Sequence, residues 1–262
     1  MNFFNCGSYS LDLNKKVYIM GILNVTPDSF SDGGLFLNPK EAIKHAINMQ
    51  NDGVDIIDIG AQSTRPGHTK ISAKKEWERL EPVLMELKNI IKIPISVDTF
   101  YPEVAKKALD LGASIINDVT GFRDNKMWDI ASYSDCGCII MHDGPYNTTK
   151  RFFKESLAKA QSYGIDKSRI CLDPGIGFGK DLNDNINIIK NLKDLKIDSV
   201  PLLMALSKKS FIGKICDEIP TSERLPGTIV ANSISIMNGA NIIRVHDVKE
   251  AVTATQVLKA LI

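Results

Sequence analysis

Short apolar runs alternate along the chain with longer stretches in which apolar residues recur every three to four positions. Eight such runs, at 17–23, 55–60, 95–99, 114–119, 137–142, 170–173, 201–206 and 241–246, are apolar nearly throughout. Strands buried on both faces have no polar side to show, so these runs read as strands of a covered parallel sheet. Helical spacing fills the intervals. Asn38 and Pro39 suit the cap and first turn of a helix ending near Asn51, with Ala42, Ile43, Ala46 and Ile47 facing inward. A second helix is expected over 72–91, with Trp77, Leu80, Leu84 and Leu87 on one stripe. Pro102 opens a third, over 104–111, and Gly112 ends it. A last one spans 248–261, striped by Val248, Ala251, Val252, Thr255, Leu258 and Leu261.

A doubly wound sheet would accept such strands, but eight in strict alternation with helices point to an α/β fold of the TIM (β/α)8 barrel type. The 262 residues divided by eight leave about 33 per unit, the repeat such a barrel uses. Residues 1–16 find no place among the units and are expected to form a short hairpin, turning at residues 6–8, that covers the barrel floor. No linker rich in Pro or Gly divides the chain. The expected organisation is therefore an N-terminal hairpin, 1–16, followed by one barrel domain, 17–262. Two long interruptions, 26–37 and 62–71, follow the first and second strands, where a barrel carries its active-site loops.

Composition narrows the function. With 32 Lys+Arg against 31 Asp+Glu the net charge is +1, which argues against broad nucleic-acid or membrane-surface binding. The five cysteines are few, odd in number and without a C-x-x-C, so neither a disulfide framework nor a structural zinc site is expected. No apolar run approaches the roughly 20 residues of a membrane span. The first ten residues lack a basic stretch followed by an apolar one, and the expected location is the cytoplasm.

In a barrel the informative polar residues stand at the C-terminal ends of the strands. Here those ends read Asn24, Gly60, Asp98, Asn117, His142, Asp173, Ser207 with Lys208-Lys209, and Arg244 with His246. Some of them could simply cap the helices that follow. Taken together they separate into two chemistries. Asp98, Asn117 and Asp173 suit a neutral heterocycle presenting amino and N–H edges, because carboxylates accept paired hydrogen bonds. Lys209, Arg244 and His246 offer positive charge and Asn24 a hard oxygen ligand, which suits a phosphate or diphosphate with Mg²⁺. His142 reads equally well as a packing residue and as part of the site lining. The run Gly175, Gly177, Gly179 has the wrong register and context for a dinucleotide-binding loop.

Several motifs then carry a resemblance. Met20-Gly21-Ile22-Leu23-Asn24-Val25-Thr26-Pro27-Asp28-Ser29-Phe30-Ser31-Asp32-Gly33-Gly34 resembles the first signature of the dihydropteroate synthases, and Asp58-Ile59-Gly60-Ala61-Gln62-Ser63-Thr64-Arg65-Pro66-Gly67 resembles their second loop. Ser96-Val97-Asp98-Thr99, Ile116-Asn117-Asp118, Met141-His142, Asp173-Pro174-Gly175-Ile176-Gly177-Phe178-Gly179-Lys180, Ser207-Lys208-Lys209-Ser210-Phe211-Ile212-Gly213 and Arg244-Val245-His246-Asp247 follow in order, covering nearly the whole chain. Gln62 stands where the family commonly has Glu, Asp143-Gly144 replaces a usual Met-Gln, and Lys208 replaces a common Arg.

The resemblance implies a homodimeric TIM barrel. It also implies the condensation of 6-hydroxymethyl-7,8-dihydropterin diphosphate with p-aminobenzoate to 7,8-dihydropteroate and diphosphate. Asp98, Asn117, Asp173 and Lys209 would hold the pterin, and Asn24 would ligate Mg²⁺ on the diphosphate. Thr64, Arg244 and His246 would grip that anion. Phe30, Thr64, Arg65, Pro66, Phe178 and Ser210 would shape the p-aminobenzoate pocket. Among these, Asn24, Arg65, Lys209, Arg244 and His246 are the residues expected to carry catalysis. An arylamine is already a nucleophile at neutral pH, so no Ser-His-Asp machinery is required, and leaving-group stabilisation is the task. Two alternatives share the pterin floor, namely a methyltetrahydrofolate methyltransferase domain and a non-catalytic pterin-binding homologue. Neither has a use for a diphosphate grip.

Overall fold

The computed structural model describes residues 2–26, 39–62 and 69–261. Ten strands are present among them: β1 (Phe3–Cys6), β2 (Tyr9–Asp12), β3 (Tyr18–Asn24), β4 (Ile56–Gly60), β5 (Ile95–Asp98), β6 (Ile115–Asp118), β7 (Gly137–Met141), β8 (Ile170–Asp173), β9 (Leu203–Met204) and β10 (Ile242–Val245). The helices are α1 (Pro39–Asn51), α2 (Ala73–Ile90), α3 (Pro102–Asp110), α4 (Asn125–Ser132), α5 (Tyr146–Ser162), α6 (Leu182–Lys190), α7 (Leu192–Leu195), α8 (Ser210–Ile215), α9 (Leu225–Met237) and α10 (Val248–Leu261). Strands β3 to β10 form one parallel sheet in the order β8-β7-β6-β5-β4-β3-β10-β9. A parallel bridge between Leu172 and Leu202 brings its two edges together, with the Leu172 N–H donating to the Pro201 carbonyl at 2.9 Å. The fold is thus the TIM barrel that the alternation of runs predicts.

The expected strand over 201–206 is shorter than its apolar run, reduced to Leu203–Met204. Pro201 has no N–H to give to a ladder, and the Leu202 N–H is taken by the Asn241 side chain at 3.1 Å. The expected starts at Ser72 and Pro102 hold, while Asn38, the expected cap of α1, lies outside the described residues. Ser72 caps α2 by accepting from the Lys75 N–H, and Pro102 is the first residue of α3. Asp124 and Asp181 cap α4 and α6 in the same way, as short acceptors do at helix N-termini.

Period-two alternation along each strand sorts the core into shells. Ile57, Val97, Ile116, Ile140, Leu172, Met204 and Ile243 point outward onto the helices. Met20, Ile56, Ile115, Ile139, Cys171, Leu203 and Ile242 point inward near the N-terminal ends of their strands. Phe4 and Cys6, both 0 % exposed, plug this layer from below. They lie on the antiparallel hairpin β1–β2, which turns at Gly7-Ser8. Gly137 begins β7 where the plug presses closest: a Cβ there would stand 2.7 Å from the Phe4 ring and 2.8 Å from Cys6 Cβ. The interior is therefore sealed at one end and polar at the other.

Candidate active site

One rung above the apolar layer, the same inward parity carries charge. Arg244 on β10 reaches past β3 to two carboxylates. Its Nε lies 2.6 Å from Asp58 Oδ2 on β4, and its Nη2 lies 2.8 Å from Asp98 Oδ2 on β5. Asn117 on β6 donates from Nδ2 to the same Asp58 oxygen at 3.0 Å. Asp58 is 0 % exposed and the other three are largely buried. Burial opposes the Arg244 charge, but Asp58 and Asp98 outweigh it, and its pKa rises. Asp98 is pushed upward by burial, with Arg244 pulling the other way. Two oxygens of this group, Asp58 Oδ1 and Asp98 Oδ1, are buried without a hydrogen-bond partner among the described residues. A buried acceptor without a donor is costly, so this floor is built to receive N–H groups.

Asp173 and Lys209 complete the interior. Asp173 ends β8, and its Oδ1 accepts the Gly175 N–H at 2.7 Å. Gly175 has φ 71°, and a Cβ on it would stand 2.0 Å from the His142 carbonyl oxygen. Only glycine lets the chain turn there and aim that N–H at the carboxylate. Burial raises the Asp173 pKa, with Lys209 acting against it. Burial lowers Lys209 to about 8, again with Asp173 opposing. The Lys209 ammonium donates to the Ile176 carbonyl and stands 4.9 Å from the centre of the Phe178 ring. Ser210, exposed, is the first residue of α8.

Asn24, at the end of β3, and His246, just beyond β10, lie at the rim. Both line a cavity of about 510 Å³ together with Ile22, Glu41, Lys44, His45 and Asn48. The His246 Nδ1 lies 2.9 Å from Ser207 Oγ, which fixes the ring plane.

The barrel thus brings together Asp98, Asn117, Asp173, Lys209 and Arg244, with Asn24, His246, Phe178 and Ser210 around them. Phe30, Thr64, Arg65 and Pro66 lie outside the described residues. Arg244 differs from the simple expectation of an anion grip, because two of its five N–H donors are committed to floor carboxylates. Asp58 is the site residue that strand ends alone miss. Its signal was a single carboxylate inside an otherwise apolar buried strand, a position where an acid needs a partner. Lys180 is a second addition, donating to the carbonyls of His142 and Phe178 at 3.1 and 3.0 Å. His142 itself turns away from the interior, with its ring nitrogens 3.1 and 3.0 Å from Thr148 Oγ1 and Thr149 Oγ1 of α5.

A (β/α)8 barrel whose C-terminal mouth holds buried carboxylates, an amide and two cations is built for a polar planar ligand, and the family model for pterin binding enzymes matches residues 20–246. The chain belongs to that family and, within it, to the dihydropteroate synthases. The dihydropteroate synthase of Clostridium beijerinckii is 40% identical over 93% of this chain and 94% of its own. Among solved structures, the Clostridium difficile dihydropteroate synthase in the presence of pteroic acid superposes with a TM-score of 0.91 at 45% identity, covering 96% of this chain and 98% of that one. The Xanthomonas albilineans enzyme with 4-aminobenzoic acid gives 0.94 at 37% identity, covering 99% and 98%.

Proposed function

We propose that this chain joins 6-hydroxymethyl-7,8-dihydropterin diphosphate to p-aminobenzoate, giving 7,8-dihydropteroate and diphosphate. The observation that carries this reading is the inward ring of Asp58, Asp98, Asn117 and Arg244, with its two unpartnered carboxylate oxygens. Asp98, Asn117 and Asp173 accept and donate along the polar edge of the pterin, and Lys209 adds a cation beside Asp173. His246 and the remaining N–H groups of Arg244 face the diphosphate at the rim. Phe178 and Ser210 border the amine subsite, to which Phe30, Thr64, Arg65 and Pro66 belong by resemblance.

The C–O bond to diphosphate breaks first, and the electron pair leaves with the phosphate oxygen. The conjugated pterin spreads the resulting positive charge from its exocyclic carbon. The amine nitrogen then bonds to that carbon and sheds one proton. Excluding water from the mouth protects the cation between these steps. Among the described residues no group of three or more His, Cys, Asp or Glu side chains is placed to hold a metal. The residue that would hold a Mg²⁺ ion is Asn24, whose side-chain amide offers a hard oxygen at the rim beside His246. Such an ion would neutralise charge on the departing diphosphate.

The reading includes a homodimer. α9 is apolar beyond the side it buries, with Val230, Ile234 and Met237 exposed, and Val257 exposed on the neighbouring α10. Val230, Ile234 and Met237, at helical spacing on one stripe of α9, fit an association surface. Sedimentation should find two chains, and substituting Val230 and Met237 by Lys should shift the mass to one. None of the helices among the described residues is long and apolar enough to cross a membrane.

Diphosphate release measured with both substrates and Mg²⁺ tests the function. Wild type should release it, and Asn24→Ala and Asp173→Ala should not do so at comparable rates. Absence of release by wild type overturns the synthase reading in favour of a methyltransferase or a pterin-binding protein. A quench before the amine is added tests the order of steps. Diphosphate or pterin cation products should already be present, and a strict requirement for the amine would refute the dissociative path.

A further inference from the structure

Behind the pterin floor lies a buried carboxylate that the reaction does not use. Glu76, on α2, is 0 % exposed. It accepts hydrogen bonds from the Gln62 amide on one oxygen and from the Thr99 hydroxyl on the other. Gln62 is the last described residue before the segment that carries Thr64 and Arg65. Thr99 directly follows Asp98, whose carboxylate also feels the Glu76 charge. The Thr99 hydroxyl in turn accepts the Tyr101 N–H at 3.1 Å, and the Tyr101 hydroxyl donates to the Ile71 carbonyl at 2.6 Å. One turn along α2, Arg79 donates to the Ala61 carbonyl at 2.7 Å. The bonds that start from the Glu76 carboxylate reach residue 62 on one flank of the second long loop and, through Thr99 and Tyr101, residue 71 on its other flank, while Arg79 holds residue 61 from the same helix.

We propose that Glu76 is a positioning residue for the synthase reaction. Its carboxylate ties the two described flanks of the second loop, residues 62 and 71, to the end of β5 beside Asp98, and through those flanks it acts on the amine subsite that the synthase reading assigns to this loop. Resting on the synthase reading, the inference concerns a residue that need not touch either substrate. The contact between Glu76 and Gln62 also constrains what residue 62 can be. A glutamate there would set a second carboxylate against Glu76 in a buried pocket, and like charges that close cannot both ionise cheaply. Glu76 is already pushed up to about 7 by burial, against the hydrogen bonds from Thr99 and Gln62 and the charge of Arg79. The amide supplies the N–H that this carboxylate needs.

A double-mutant cycle tests the proposal. Gln62→Glu should lower kcat/KM for p-aminobenzoate about tenfold or more, and Glu76→Gln by a few-fold. The combined variant again holds one carboxylate and one amide, and should return to within about threefold of wild type. In Glu76→Gln the loss should fall on the KM for the amine, with the dissociation constant of the pterin diphosphate nearly unchanged. Multiplicative losses in the double variant would overturn the proposal. So would a Glu76→Gln protein that melts earlier but keeps both substrate constants, because that is a purely structural residue. Should Gln62→Glu fail to fold, restoration of folding by Glu76→Gln supports the pairing and its absence refutes it. An inactive wild type would instead defeat the synthase reading, and coupling of the two positions in thermal unfolding would still decide whether they pair.

Discussion

The floor and the mouth of this barrel are made by the same strands, a few residues apart, on opposite physical terms. At the floor, Met20, Ile56, Ile115, Ile139, Leu203 and Ile242 close around Phe4 and Cys6 with no charge among them. Near the mouth, the same inward parity presents Asp58, Asp98, Asn117, Asp173 and Arg244. The floor gains by taking apolar area out of water. The mouth gives up hydration of several ions, and their mutual attraction only partly restores it. The comparison teaches that the hairpin is more than an N-terminal appendage. Its plug is part of the apolar packing that offsets an interior assembled for recognition.

The largest loss should follow removal of the cation that the mouth depends on. Arg244→Met leaves Asp58 and Asp98 facing each other without the charge that both contact. Breaking a buried pair from one side costs about 3–5 kcal/mol of stability. Turnover should fall by about 10³-fold or more, since the ring of carboxylates and amide that holds the pterin is lost with it. Steady-state kinetics together with calorimetric titration of the pterin substrate would check this, and a loss below tenfold would contradict the role given to Arg244. The matching change at the floor is Phe4→Ala. It should lower unfolding free energy by about 3–5 kcal/mol, while kcat/KM per folded molecule stays within about twofold of wild type. Denaturant unfolding and kinetics at low temperature separate the two effects. A floor variant that lost activity at full occupancy of the folded state would dissolve the distinction between the two ends.

How much of this the chain reveals on its own differs between the ends for a physical reason. The strands were legible because a doubly covered strand must be apolar at nearly every position, and the eight runs of the sequence match β3 to β10. The run at 201–206 misled only in length, since Pro201 and the Asn241 side chain decide where its ladder stops. At the mouth, Asn24, Asp98, Asn117, Asp173 and His246 announced themselves by standing at or just beyond strand ends. Asp58 did not, because it sits inside its strand, and only the curvature of the sheet lets Arg244 of β10 reach past β3 to β4 and β5. The partners of Glu76 were equally hidden. Its helical spacing marks a helix and nothing more, and contact with Gln62 and Thr99 is a product of tertiary packing.

A smaller perturbation sharpens the electrostatic side of the mouth. Burial lowers Lys209 to about 8, so its ammonium is present at pH 7 and is lost as the pH rises through that value. If the cation beside Asp173 holds substrate, kcat/KM should fall above about pH 8 and approach tenfold per pH unit, because kcat/KM reports the free enzyme. A guanidinium stays protonated throughout, so Lys209→Arg should start lower and lose that limb of the profile. A wild-type profile flat to pH 9.5 would separate Lys209 from substrate binding.

The smallest expected effect concerns a residue that stands at the mouth but is built like the floor. His142 follows β7, yet its ring packs outward between Thr148, Thr149 and Phe152. Burial and the Lys180 charge lower its pKa from 6.5 to about 4. In the unfolded chain the imidazole takes up a proton as the pH drops below 6.5, whereas the folded chain refuses it until about 4. The unfolded state therefore binds more protons across that window, and stability must fall as the pH falls through it. From pH 7 to pH 5 this one group should remove about 1–2 kcal/mol. His142→Gln can keep a hydrogen bond to Thr149 and cannot titrate, so it should lose that share of the acid sensitivity while keeping activity at pH 7. Urea midpoints at the two pH values measure the difference. Equal slopes in wild type and variant would mean that His142 takes up its proton alike in the folded and unfolded chain, and the acid sensitivity would have to come from other groups.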